Sequence, residues 1–164
     1  MPVKRYNGTS WVVIAGDAAQ GIPGTPATGA NLELTAPTEV TNITASAPAA
    51  TQAIDFVTSG TWFFTSNATA NTTINLRGNG GTTLNSILAV GESATVSILM
   101  TNGATPYYIT AFQVDGVSQT IRWSGGTAPA AGNASGTDIY SFTVFKTAAT
   151  PTYTVLGAGP IKYA

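Results

Sequence analysis

The chain has 164 residues, 43% of them hydrophobic and only 8% charged, with a formal net charge of −1. That hydrophobic fraction supports a buried core, while charged residues fall well below the roughly 25% of an average domain. Cysteine and histidine are absent, which excludes disulfides, thiolate or imidazole metal sites and the usual neutral-pH general base. The balanced charge leaves no basic stripe for nucleic acid and no polybasic segment for a membrane surface.

The first element is carried by "RYNGTSWVV", residues 5–13. An Asn-Gly pair between a tyrosine and a β-branched run predicts a hairpin over residues 1–15. Tyr6 and Trp11 flank the turn, and Lys4 and Arg5 put two of the six basic residues beside it. A two-stranded hairpin is marginal by itself. Lys4, Arg5, Tyr6 and Trp11 are therefore the candidate partner-docking residues, the alternative being an edge hairpin on the chain's own domain. No apolar h-region follows the N-terminal basic residues, so no signal peptide is expected, and no apolar run reaches the length of a membrane span. Residues 16–30, "GDAAQGIPGTPATGA", are Gly/Pro/Ala-rich and predict an extended linker.

Residues 31–164 predict an all-β domain of roughly eight to ten short strands, an antiparallel, jelly-roll-like β-sandwich. The early runs "NLELTA" and "TEVTNITAS" are candidates for strands of this domain or for strands laid along a neighbouring subunit. Further on, alternation is clear. It groups Ile74 with Leu76; Val96 with Ile98 and Met100; Tyr108 with Phe112 and Val114; and Tyr140 with Phe142 and Val144. Ile139 and Phe145 lie opposite the last of these groups. "TLNSILAVGES" fits either a short helix through Leu84, Ile87 and Leu88 or a hydrophobic loop. Asp115-Gly116 predicts a tight type I′ hairpin turn. "GNGGTT", residues 78–83, is glycine-rich but lacks the lysine of a phosphate loop and reads as a turn.

Candidate chemistry is sparse. The carboxylates are Asp17, Glu33, Glu39, Asp55, Glu92, Asp115 and Asp138, with no local pairing that suggests general acid–base work and no acid-rich calcium loop. The expectation is no enzymatic activity, no cofactor and no metal. The aromatics carry more information. In "TWFF" Trp62 and Phe64 share one face and Phe63 takes the other, so this strand has apolar surface on both sides. Tyr107 adjoins a second tyrosine, and Trp123 stands at the mouth of a long Gly/Ala/Pro loop. Trp62, Phe64, Tyr107 and Trp123 are the candidate subunit-interface or glycan-contact residues, with plain core filling the alternative. Scarce charge also suits a protein that lives in an assembly, because interface centres disfavour Lys, Glu and Asp. A homo-oligomer, a trimer, is expected.

The stretches "LRGNGGTTLNSILAVGESATVSILMTNGATPYYITAFQVDG" and "IRWSGGTAPAAGNASGTDIYSFTVFKT" resemble virion structural proteins of marine tailed phages, cyanophages in particular, over about residues 52–164. "KRYNGTSWVVIAG" is similar to short modules that open phage fibre and appendage proteins. The resemblance implies a non-enzymatic virion component displayed on the particle, tail-fibre-like or a capsid decoration, whose partners are other capsid or tail proteins. The competing expectation is a carbohydrate-binding adhesin module for host surface glycan, and a weaker one is a polysaccharide-degrading enzyme. Neither a nucleic acid nor a membrane is expected as a partner.

Overall fold

The computed structural model describes residues 39–163 throughout and, ahead of them, two short strands, β1 (Lys4–Tyr6) and β2 (Trp11–Val13). The Asn7-Gly8 turn, the linker over 16–30, the run "NLELTA" and the carboxylates Asp17 and Glu33 lie outside the described residues. The chain divides into two units, Met1–Pro37 and Thr38–Ala164. In the first, β1 and β2 pair antiparallel with Tyr6 opposite Trp11, Arg5 opposite Val12 and Lys4 opposite Val13.

The second unit is an all-β sandwich. Its strands are β3 (Thr41–Thr44), β4 (Thr51–Asp55), β5 (Thr61–Phe64), β6 (Thr72–Arg77), β7 (Ser93–Asn102), β8 (Ile109–Val114), β9 (Val117–Gln119), β10 (Ile121–Trp123), β11 (Gly136–Ala148) and β12 (Thr152–Tyr163), with one four-residue helix, α1 (Leu84–Ile87). One sheet runs β10-β12-β11-β7-β5-β3 and the other β4-β6-β8-β9. Thus "TEVTNITAS" supplies β3, which pairs with β5 of the same domain.

The pairing is mixed, where the sequence suggested a purely antiparallel, jelly-roll-like order. β3 to β8 alternate between the two sheets. Each crossing reverses direction, so strands two apart in sequence run parallel within a sheet: β3 with β5, β5 with β7, β4 with β6, and β6 with β8. Antiparallel pairs join β7 to β11, β11 to β12 and β8 to β9.

The period-2 pattern sends one parity of each strand between the sheets. Ile54, Trp62, Phe64, Ile74, Leu76, Val96, Ile98, Met100, Phe112, Val114, Tyr140, Phe142, Val144 and Val155 meet there as one buried cluster. Trp123 reaches the same cluster from β10 because the residue between it and Phe142, on the intervening strand β12, is Gly157. A Cβ on Gly157 would lie 2.6 Å from Ile121 Cγ2 and 3.1 Å from Phe142 Cε1. The space a side chain would need is filled by Ile121 and the Phe142 ring.

The Asp115-Gly116 turn forms, with φ of 51° and 80° at the two residues. Asn75 Oδ1 accepts from Gly116 N at 2.8 Å, and Leu76 O accepts from Asp115 N at 3.0 Å. A β-branched residue is strained at positive φ. Gly116→Val should therefore cost about 1–3 kcal/mol, read as a lowered melting temperature; an unchanged melt would overturn the turn's assigned importance.

Candidate functional site

The charged side chains of the second unit serve mainly as braces. Asp115 does more than turn the chain: its carboxylate accepts from Leu84 N at 2.7 Å and Asn85 N at 3.0 Å. At the other end of α1, the Lys146 ammonium, 8% exposed, donates to Asn85 O at 2.8 Å and Leu88 O at 2.7 Å. A helix of one turn has little stability of its own. Here an anion meets its first N–H groups and a cation its last carbonyls, the arrangement its dipole favours. Glu92 accepts from Ala89 N at 2.8 Å. Asp55 and Arg77, opposite each other on β4 and β6, form an ion pair at 2.6 Å.

Asp138 is 0% exposed. It accepts from Asn133 N at 2.8 Å, Asn133 Nδ2 at 2.7 Å and Asn102 Nδ2 at 3.1 Å. Asn102 also donates to Tyr107 O at 3.0 Å and accepts from Tyr107 N at 3.3 Å. Ser135 N donates to Gly103 O at 2.8 Å. The network thereby ties together the two loops that follow β7 and precede β11. Burial, and then the proximity of Asp138, push the neighbouring Tyr140 phenol well above its ordinary pKa. Among the described residues no group of three or more His, Cys, Asp or Glu side chains is arranged to hold a metal ion.

The sequence-predicted surface residues are distributed otherwise than expected. Trp62 and Phe64 are corrected to core: they are 8% and 1% exposed, and the Trp62 indole donates to Ser59 O at 3.0 Å. They face the opposite sheet and present nothing to a partner or a glycan. Trp123 is half-buried, with its ring edge-on to Phe142 at 5.8 Å. Tyr107 is half-buried against the core, its backbone held by Asn102. Lys4, Arg5, Tyr6 and Trp11 share the β1–β2 ladder of the other unit. Within the second unit, Trp62, Phe64, Tyr107 and Trp123 do not form one surface site.

The second unit gathers a different set instead. On the outer face of the six-stranded sheet, Ile43, Phe63, Leu99, Ile139 and Ile161 stand directly opposite one another across β3, β5, β7, β11 and β12. The row beside it is Thr41, Thr61, Ser97, Ser141 and Ala158 on the same five strands. Beyond that, the Thr95 and Thr143 hydroxyls are hydrogen-bonded to each other at 2.9 Å. Ile43 and Ile161, at the ends of the apolar row, are 67% and 55% exposed. The strand is two-faced as its sequence predicts, and the aromatic on its outer face is Phe63, not Trp62 or Phe64.

A separate cavity of about 290 Å³ lies beside α1 and the β8–β9 turn, and its lining includes Asn85, Asp115, Gln119 and Tyr153. No helix of the described residues is long and apolar enough to cross a membrane. Comparison with known proteins returns no matching family model, no matching curated protein and no matching solved structure.

Proposed function

We propose that this chain is a non-enzymatic structural protein of a tailed-phage virion, displayed on the particle as a tail-fibre-like or capsid-decoration component. One observation carries the reading. Asp55, Glu92, Asp115, Asp138, Arg77 and Lys146 are engaged in holding strands, loops and the short helix of the domain. Acid–base chemistry needs such groups free and convergent; a building block needs them as braces. The resemblance over residues 52–164 supplies the virion context. In this reading the β1–β2 hairpin, with Lys4, Arg5, Tyr6 and Trp11, docks on another capsid or tail protein.

The test is a chain lacking residues 1–15, supplied to assembling particles in place of the full one. The expected result is a domain that melts like the intact one but is missing from purified particles. Normal occupancy would move the attachment into the β-domain, and loss of folding would assign the hairpin to the core. Absence of the full-length chain from purified particles would overturn the virion reading altogether.

A second reading, a carbohydrate-binding module for host surface glycan, is favoured by the cavity beside α1. There an aromatic ring, Tyr153, meets the amides of Asn85 and Gln119 and the carboxylate of Asp115, the mix that sugar hydroxyls and C–H faces need. Titrating the full chain with purified host polysaccharide decides it: binding that Asn85→Ala abolishes supports this reading, and no binding removes it.

A further inference from the structure

We infer that the outer face of the six-stranded sheet is the surface through which two copies of this chain associate, face to face about a two-fold axis. The occupant is a second copy for three reasons, all set by the register of the sheet.

The first is charge. The two aligned rows, Ile43 to Ile161 and Thr41 to Ala158, contain no ionisable side chain. Arg122 lies at the margin, opposite Leu156 on β12. A charged partner would leave its own charges buried without counter-ions, which is costly. An identical neutral face brings none.

The second is shape. Isoleucine, leucine and phenylalanine form a ridge across five strands, and serine, threonine and alanine form the adjacent groove. A two-fold running along the rows, between them, superposes the ridge of each copy on the groove of the other. Leu99 then sits against the partner's Ser97, Phe63 against the partner's Thr61 and Ile139 against the partner's Ser141. Such a pairing is isologous and closes on itself, and stacked sheet faces are an ordinary packing mode at about 10 Å separation.

The third is extent. Strands spaced about 4.8 Å apart, with same-face residues every ~6.7 Å along them, give the ridge and groove together roughly 320 Å² in projection and the whole outer face of β3, β5, β7, β11 and β12 roughly 700 Å². Pleating and side-chain relief add to both figures. A stable complex buries about 800 Å² per partner, and most crystal contacts bury less than about 400 Å² per partner. The face thus falls in the range of a specific dimer. The two-fold stands in place of the trimer that the sequence suggested from the two-faced strand over residues 62–64 and the scarcity of charge.

Sedimentation of the full chain at tens of micromolar tests the inference. A dimer is expected. Ile43→Lys and Ile161→Lys alter side chains already 67% and 55% exposed, so each should melt like the parent while weakening association at least tenfold. Ser97→Phe is the sharper variant. It makes the face more apolar but fills the groove, so association should weaken about a hundredfold if ridge and groove interlock. Tighter association of Ser97→Phe would overturn the arrangement, as would a dimer indifferent to all three substitutions. A parent chain that sediments as a monomer would overturn the inference itself, leaving another part of the chain, or a different protein, as the cover of this face. None of these outcomes depends on particle incorporation. A dimer absent from virions sinks the virion reading alone, and a monomer found in virions sinks this one alone.

Discussion

Replacing Phe142 by alanine should cost the β-domain about 3–5 kcal/mol, the range for a fully buried phenylalanine. The side chain is 0% exposed and is the point at which the two sheets and the edge strand meet. Its ring lies 4.8 Å from Phe112 of the four-stranded sheet, 5.8 Å from Trp123 on β10 and 6.3 Å from Tyr140 along its own strand. Truncation removes the transfer energy of the ring and leaves a cavity whose walls are other rigid rings, which collapse poorly. It also removes the contact that fixes Trp123, on the three-residue strand β10. Two readouts follow. The melting temperature should fall steeply, and near-ultraviolet circular dichroism of the tryptophans should change even well below the melt. Phe145→Ala is the comparison: it lies on the same strand with the opposite parity and is 37% exposed, so its cost should be about 1 kcal/mol. Equal effects from the two would mean that the inner face is not where this fold gains its stability.

That contrast is legible in the sequence itself. Alternation in "DIYSFTVF" separates Phe142 from Phe145 without further information, and the strands it predicted at β6, β7, β8 and β11 are present. Which parity faces inward was legible wherever the other parity was hydroxyl-rich. At "TWFF" both parities are aromatic and the rule has no contrast to work with, so the sequence leaves Trp62 and Phe64 open between interface and core, and they are core. Strand pairing was not legible, because a half-buried strand alternates in the same way whether its neighbour runs parallel or antiparallel. The winding of β3 to β8 between two sheets leaves no local mark. The outer apolar row needs registers from five strands at once, and no single window contains it. The buried braces, by contrast, do leave a signal in the sequence. Asp138 and Lys146 share parity with Tyr140, Phe142 and Val144, and Asn102 shares parity with Val96, Ile98 and Met100. A charged or amide group at an inward position must find partners; asking where those partners lie would have pointed to the loops and to α1.

Asp138→Ala is the second substitution with a large expected effect, on the order of 4 kcal/mol. The estimate comes from what the carboxylate leaves behind. Asn133 N, Asn133 Nδ2 and Asn102 Nδ2 all donate to it, and each buried donor left without an acceptor costs about 1–3 kcal/mol. Water can recover part of this where the loop opens, so the sum is not fully realised. Asn102 is 2% exposed and keeps only its bonds to Tyr107. The loops after β7 and before β11 would then be tied to each other chiefly by the backbone bond from Ser135 N to Gly103 O. Asp138→Asn keeps the volume and an acceptor oxygen for Asn133 N and Asn102 Nδ2 but turns an NH₂ group toward Asn133 Nδ2, so its cost should be about half as large. Asp55→Ala supplies the exposed control. That carboxylate is 26% exposed in its pair with Arg77, and a solvated ion pair contributes about 0–1 kcal/mol. The order Asp138→Ala, Asp138→Asn, Asp55→Ala in denaturant midpoint is the expected result. In the first variant, hydrogen exchange should quicken at Tyr107 and Asn133 while the centres of β7 and β11 keep their protection. Uniform loss of protection would show that the carboxylate supports the whole sandwich, and no loss at those two amides would show that it does not hold the loops.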